Sequence, residues 1–457
     1  MGVLAIVLGL FPALPQASFE DKLLSTIPEG TDAGEFLFSP DGRFVTYRVR
    51  AGNKGFVMLN KEKGPEFTNV LDAPRFAQDG RTVYYRAQSG KVCVVVGRRQ
   101  EPLYEEVGEP VLSPDGRKVA YSASNGRTWV AIIGSTRYGG DLHYAGTPVF
   151  NSIGTSWAVP VRVAKDASGK IIASGVASRT KEIMVVDGKP GEEFDKIEDP
   201  VFAPGSGVVA YRARIGIDVG VNEQWCMVVG TKRGDTSPVL GRPRYTADGR
   251  LVYTLGSEGK FWVVVDGRRS EEYDSVSDPV FSPDGRSIAY AATKGGKSFI
   301  VMDGKRLPEY AGVQDPVISP DGRKAAYAAA QGGKWVMVAG DKPGSPMDFI
   351  GPAVWSPDSA QVAHMAQWNN FAVMVVGGAR TELFESVGTP AWSPDGSRAA
   401  HSARKLKAVY MVISHRRSDE VFDEIYGTPV FSPDGRKVAF GARKGRDLLW
   451  RVLPVPQ

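Results

Sequence analysis

The carboxylates that could do chemistry in this chain come at a regular beat. Glu35, Glu109, Asp199, Asp278 and Asp315 share one sequence context, just ahead of a short apolar stretch and mostly before a proline. Arg242 occupies the same slot, and Ala73, Thr147, Pro352, Thr389 and Thr428 fill it elsewhere. Convergent carboxylates bind cations or basic peptides by charge, or, with their pKa values pushed apart, divide into an acid and a base. The same residues also have a plainer use, since Asp-Pro and Thr-Pro initiate turns. No Gly-x-Ser-x-Gly elbow, His-Glu-x-x-His pair or phosphate loop accompanies them.

The histidines and cysteines add little reactive chemistry. His364 and His401 fall at a position that other stretches fill with Tyr47, Tyr85, Tyr121, Tyr211, Tyr290, Tyr327 and Phe440. Two imidazoles could share a metal, but nothing supplies a third ligand, so they read as polar-tipped members of an aromatic packing position. Cys93 and Cys226 occupy equivalent places far apart in the chain and read as two buried free thiols. No CxxC or Cys/His cluster is present, which excludes a structural zinc site. Neither a metal nor a cofactor is expected.

These residues are positioned by an internal repeat. Asp41, Asp79, Asp115, Asp248, Asp284, Asp321, Asp358, Asp395 and Asp434 sit in variants of Ser-Pro-Asp-Gly, and Asp284, Asp321, Asp358 and Asp395 are 37 residues apart (321 − 284). Degenerate copies place Ile153 and Gly205 in the slot, making eleven. Each copy reads as four strands, here those of the copy beginning at Asp278. They are "DPVF", the alternating "RSIAYAA", "KSFIVMDGK" with its Asp-Gly hairpin signal, and "LPEYAGV". Proline presets the first turn dihedral, aspartate bonds back to the backbone, and glycine takes the positive-φ place. The 457 residues, with 53 Gly and 31 Pro, form a turn-dense globular chain with no helical periodicity.

Four short antiparallel strands at this period fit a β-propeller blade. The expected fold is an all-β propeller of eleven blades in one ring, with two tandem propellers dividing within 149–250 as the alternative. The last copy lacks a fourth strand, and "DKLLSTI" near the N-terminus resembles one, so Lys22–Ile27 is expected beside Leu448–Val452.

The unit P-[VA]-[FW]-S-P-D-G-[RS]-x-[VIA]-A-[YFH] resembles the WD-like repeat of the TolB-type propellers, which are exported bacterial proteins. The resemblance covers residues 18–457, and the α/β domain that precedes the TolB propeller has no counterpart here. It implies an exported propeller, periplasmic or secreted, that acts as a binding platform, and it specifies no ligand. The N-terminal "MGVLAIVLGLFPALPQAS" fits this, reading as a secretory signal over residues 1–17.

Two loop sets are expected on opposite faces. One carries the acidic collar. It also carries two insertions between second and third strands, Arg162–Thr180 and Arg214–Trp225, which predict a raised lip beside Asp199 and Arg242 with Lys165, Asp166, Lys170, Asp218, Asn222 and Trp225 as contacts. The other face carries Arg43, Arg81, Arg117, Arg250, Arg286, Arg323 and Arg436 with the hairpin pairs Arg98–Arg99, Arg268–Arg269, Lys305–Arg306 and Arg416–Arg417. That face either balances the turn aspartates or meets an anionic partner such as a lipid head-group surface. The net charge of +5, from 56 basic and 51 acidic residues, gives no reason to expect nucleic-acid binding. The chain therefore reads as a non-enzymatic scaffold for a protein or cell-envelope component, with a lyase or hydrolase using the acidic collar as the alternative.

Overall fold

Most repeats are framed by a Ser-Pro-Asp-Gly turn built alike in the computed structural model, which describes residues 17–165, 171–172, 179–216 and 223–456. In blade 8 the buried Ser319 hydroxyl donates to Asp321 at 2.6 Å and accepts the Lys324 N–H, while Asp321 accepts the Arg323 N–H. The same Ser–Asp bond recurs at Ser39, Ser113, Ser282, Ser356, Ser393 and Ser432. Gly322 closes the turn at φ +73°. The degenerate blade 4 keeps the turn by other means: Asn151 Oδ1 accepts the Thr155 and Ser156 N–H groups.

The strands form eleven antiparallel sheets, and no helix occurs among the described residues. The fold is an all-β, eleven-bladed member of the β-propeller class. Blade 7 is representative. Its first strand has two pieces, Ser275–Val276 and Val280–Phe281, both paired with the second strand Ile288–Lys294. Gly295 and Gly296, both at positive φ, turn the chain into the third strand Lys297–Met302. Asp303 and Gly304 turn it again into Lys305–Arg306.

"LPEYAGV" divides differently from its reading as one fourth strand. Lys305–Arg306 already pairs with the third strand, Tyr310 bridges back to Ser298, and Val313 bridges to Ala329 in the second strand of blade 8. The segment crosses from one sheet to the next, so its last residues open the following first strand.

By internal contacts the chain falls into two compact units. One is built on Thr46–Ser270 with Thr31–Glu35, the other on Glu271–Gln457 with Pro15–Gly30 and Phe36–Val45. Inside each, the apolar core lies between neighbouring sheets. Ala289, Ile300 and Met302 of blade 7 pack on Ile318, Tyr327 and Val336 of blade 8. Ala158 and Met184 of blade 4 pack on Tyr211 and Val228 of blade 5. One sheet alone would leave both faces wet, which is why the repeat must be stacked to be stable.

The once-per-repeat aromatics seal these contacts edge to face. Phe194 meets Tyr211, Tyr310 meets Tyr327, Phe384 meets His401 and Phe422 meets Phe440, with centroids 5.4–6.4 Å apart. Residue type suggests Tyr144 and Phe349 for the same role, but Leu142 opposite Trp129 and Met347 opposite Trp335 fill it. Tyr144 and Phe349 instead begin the first strands of blades 4 and 9 and are exposed. Cys93 and Cys226 are free, fully buried and in equivalent registers, opposite Ala87 and Ala213.

The N-terminal strand Lys22–Thr26 is the fourth strand of blade 11. It runs antiparallel to Asp447–Pro454, with Lys22 opposite Trp450 and Thr26 opposite Asp447. The Trp450 indole donates to the Ser18 carbonyl at 2.7 Å, and Asp21 accepts the Val452 N–H. Apart from Ala17, the segment read as an export signal lies outside the described residues.

Candidate binding surface on blades 4 to 6

Glu109, Arg242, Asp278 and Asp315 stand just ahead of the inner piece of the first strand, as the sequence pattern expects, whereas Glu35 and Asp199 lie inside a continuous first strand. The proline after Asp199 has no N–H for the ladder and is accommodated by a bulge. In blade 5 the first strand is Lys196–Phe202, its register shifts between Glu198 and Val201, and Asp199 sits in the break at φ +53°. Glu35 occupies the equivalent break of Asp32–Phe38 at φ +59°.

Three of the five collar acids are engaged by arginines. Glu35 meets Arg48 at 3.1 Å, Glu109 meets Arg75, and Asp199 lies between Arg212 at 2.7 Å and Arg242 at 3.3 Å. The Asp199–Arg212 contact is off the hydrogen-bond axis, so it is an ion pair only. Asp278 and Asp315 have no lysine or arginine within 4 Å among the described residues. The collar is thus a row of mostly neutralised pairs, not an open acidic mouth.

The arginines that do this were not apparent as site residues. Arg48, Arg86 and Arg212 follow the aromatic of the second strand, at a place where other blades carry Ser122, Thr254 or Ser402. Each reaches across to a backbone carbonyl of the next blade: Val70, Val107 and Leu240, at 2.8–3.2 Å. Arg86 is also gripped by both oxygens of Asp72, and Arg212 donates to Glu198. Where the second strand carries a hydroxyl, the facing residue is glycine: a Cβ on Gly241 would run into the Thr254 hydroxyl. An acid–arginine pair therefore replaces a glycine–hydroxyl pair in blades 2 and 5. The signal in sequence is the Tyr-Arg dipeptide coupled to an acid one residue ahead of the collar.

Around Arg212 the charges become dense. Its guanidinium lies 5.0 Å from the Trp225 ring centre. Lys196 meets Glu198, Lys181 meets Asp195, Arg162 meets Glu182 and Arg214 meets Glu223, all at 2.5–2.8 Å. Glu182 is buried and also accepts the Ile197 N–H at 2.7 Å. Beside it, Tyr144, Pro160, Arg162, Glu182, Lys196 and Ile197 line a cavity of about 310 Å³. Burial alone would raise the pKa of Glu198 and of Asp195; Lys196 and Arg212 outweigh it at Glu198, Lys181 and the Gly216 N–H at Asp195, and both stay below the ordinary carboxylate range. A general acid at neutral pH needs the opposite shift.

Of the lip residues, Trp225 lies in the third strand Gln224–Val229, half-buried beneath Arg212, and not out on a loop. Lys165 ends a strand paired with Ile171 and Arg179. Asp166, Lys170, Asp218 and Asn222 lie outside the described residues. On the turn face, many arginines are balanced locally, as in Arg98–Glu62, Arg306–Glu271 and Arg417–Glu382. No group of His, Cys, Asp and Glu suited to a metal occurs among the described residues.

No family model matches this chain, and no curated protein matches it. Among solved structures it is similar to a eukaryotic initiation factor, with 13% identity and a TM-score of 0.39 over 82% of this chain and 94% of that one. It is similar to the Dos1 propeller, with 9% identity and a TM-score of 0.30 over 95% and 94% of the two chains. It is also similar to the β-propeller domain of the Trilobed protease from Pyrococcus furiosus, with 13% identity and a TM-score of 0.29 over 57% and 97%.

Proposed function

We propose that this protein is a TolB-type propeller exported to the periplasm or beyond. There it serves as a non-enzymatic scaffold that binds a protein or cell-envelope component through blades 4–6. The observation that supports this reading is the concentration of charge there. Lys181, Asp195, Lys196, Glu198, Asp199, Arg212, Arg214, Glu223 and Arg242 form one stretch of ion pairs next to both irregular segments of an otherwise regular array. A folded core has no use for so many partly exposed pairs, since each contributes little to stability. Their value is in complementarity to a partner, which charged groups steer and orient. The carboxylates of this stretch with shifted acidity are held ionised, which suits recognition of a basic surface and does not suit proton transfer. The turn face, rich in arginine, is the surface of this scaffold that would approach anionic head groups.

The test is a comparison of what the mature protein and an Arg242→Glu/Asp199→Arg variant capture from envelope extract. Arg242 is exposed, whereas Asp199 is half-buried against Arg212, so a thermal melt of the variant and the single variant Arg242→Glu accompany the comparison. Loss of a specific captured species from the variant is expected. An identical captured set, or none from either protein, would refute the assignment.

A further inference from the structure

Both hairpins of blade 10 turn on left-handed non-glycine pairs, Leu406–Lys407 and Ser414–His415, and the second pair borders a cavity. The third-to-fourth hairpin turns at Ser414 and His415, with φ +48° and +70°. Where both residues of this turn are left-handed in other blades, the second is Gly188, Gly267, Gly304 or Gly378. A left-handed non-glycine residue costs about 1–2 kcal/mol, and such strain persists where a site needs the side chain. Ser414, His415 and Arg416 line one wall of a cavity of about 330 Å³; Arg398, His401 and Pro456 line others.

Two buried polar atoms of this cavity lack a hydrogen-bond partner. His401 is 1% exposed, and its Nε2 has no hydrogen-bond partner; the buried Ser414 hydroxyl has none either. Nδ1 of His401 lies 3.0 Å from the Ser402 carbonyl, so Nδ1 carries the proton and Nε2 presents a lone pair. Burial outweighs the Ser402 carbonyl and holds this imidazole near pKa 4 and therefore neutral. Arg398 donates one N–H to the Pro456 carbonyl, and Arg416 makes no ion pair among the described residues. Among the described residues no carboxylate lines this cavity or the matching one beside His364, whereas Glu62 and Asp341 line those of other blades.

We propose that this cavity binds a small hydroxylated anion, a hydroxycarboxylate or a phosphate monoester. The ligand hydroxyl donates to His401 Nε2 and accepts from Ser414, and its anionic group meets the guanidiniums of Arg416 and Arg398. A hydroxyl suits the depth because Nε2 is an acceptor, and an anion suits the rim because Arg398 and Arg416 stand there without a counter-charge among the described residues. This inference is independent of the docking proposal for blades 4–6.

Calorimetric titration of the mature protein with glycerol 3-phosphate and with lactate separates the two anion chemistries, and glycerol and propionate serve as single-group controls. One hydroxylated anion should bind at one site, and Arg416→Ala and His401→Phe should each weaken it about tenfold or more. The Phe variant copies blade 11, where Phe440 takes this position, and Arg416→Ala alters only an exposed side chain, so both should fold. Failure of both hydroxylated anions to saturate, equal binding of a control, or unchanged affinity in the two variants would overturn the proposal.

Discussion

Acid should loosen blades 9 and 10 through two imidazoles alone. His364 and His401 are 3% and 1% exposed, and burial, the largest cause at both, pulls each from an ordinary 6.5 to about 4. The backbone carbonyls of Met365 and Ser402 offset this only in part, while Lys342 beside His364 and Arg398, His415 and Arg416 beside His401 add no negative charge. Because the folded pKa lies below the unfolded one, the unfolded chain takes up protons first as pH falls. The stability at stake is fully present above pH 6.5 and is lost as the pH falls toward 4. One unit is worth about 1.36 kcal/mol, so each histidine should cost roughly 2.5 kcal/mol between pH 7.5 and 4.5, and the pair about 5. The depressed carboxylates nearby, Asp348, Asp358 and Asp395, lose their contribution only as the pH falls through the ordinary aspartate value near 3.8 and below, beneath the foot of this window. A repeat array this long need not unfold in one step, so the assay is local. Amide exchange of peptides covering Val362–Val376 and Ala399–Ile413 would be measured across this range, with intrinsic rates corrected for pH. The double variant His364→Tyr/His401→Phe, which restores residues found in other blades, should remove the acid dependence. The same pH slope in both proteins would refute the reasoning.

Two further outcomes bear on the repeat itself. Ser319→Ala removes a fully buried hydroxyl that satisfies the Lys324 N–H and binds Asp321, and should cost about 1–2 kcal/mol in local opening free energy. Gly42→Ala adds a Cβ at φ +69° against the Trp450 indole and should cost about 2–5 kcal/mol, releasing the N-terminal strand. Gly30→Ala has a similar φ but open space around it, and should cost only about 1 kcal/mol; equal melting shifts for the two would contradict the packing described.

The blades were legible because their signals are local. Proline, aspartate and glycine at fixed offsets dictate one turn, and period-two apolar residues dictate the strands on either side of it. The position of His364 and His401 in an aromatic slot could be read for the same reason, since register alone places them. What sequence could not supply was anything depending on a bulge. The break that seats Asp199 shifts the first strand, so Asp199, expected at a strand entrance, stands inside the ladder within reach of Arg212, and Glu35 likewise within reach of Arg48. The sealing slot of two blades was hidden for another reason: Met347 and Leu142, which are not aromatic, fill it, and an aromatic, Phe349 or Tyr144, follows two residues later. The Arg212–Glu198 pair bridges 14 residues of sequence, and its arginine reaches a carbonyl 28 residues on. Only the three-dimensional arrangement of adjacent blades makes that visible.

The central claim is that blades 4–6 are the surface this scaffold uses. Hydrogen exchange of the mature protein, with and without the species it captures from envelope extract, measures that footprint directly. Slowed exchange confined to Tyr144–Val163 and Thr180–Tyr245 is the predicted result. Protection only in blades 7–11, or none anywhere on binding, would contradict it.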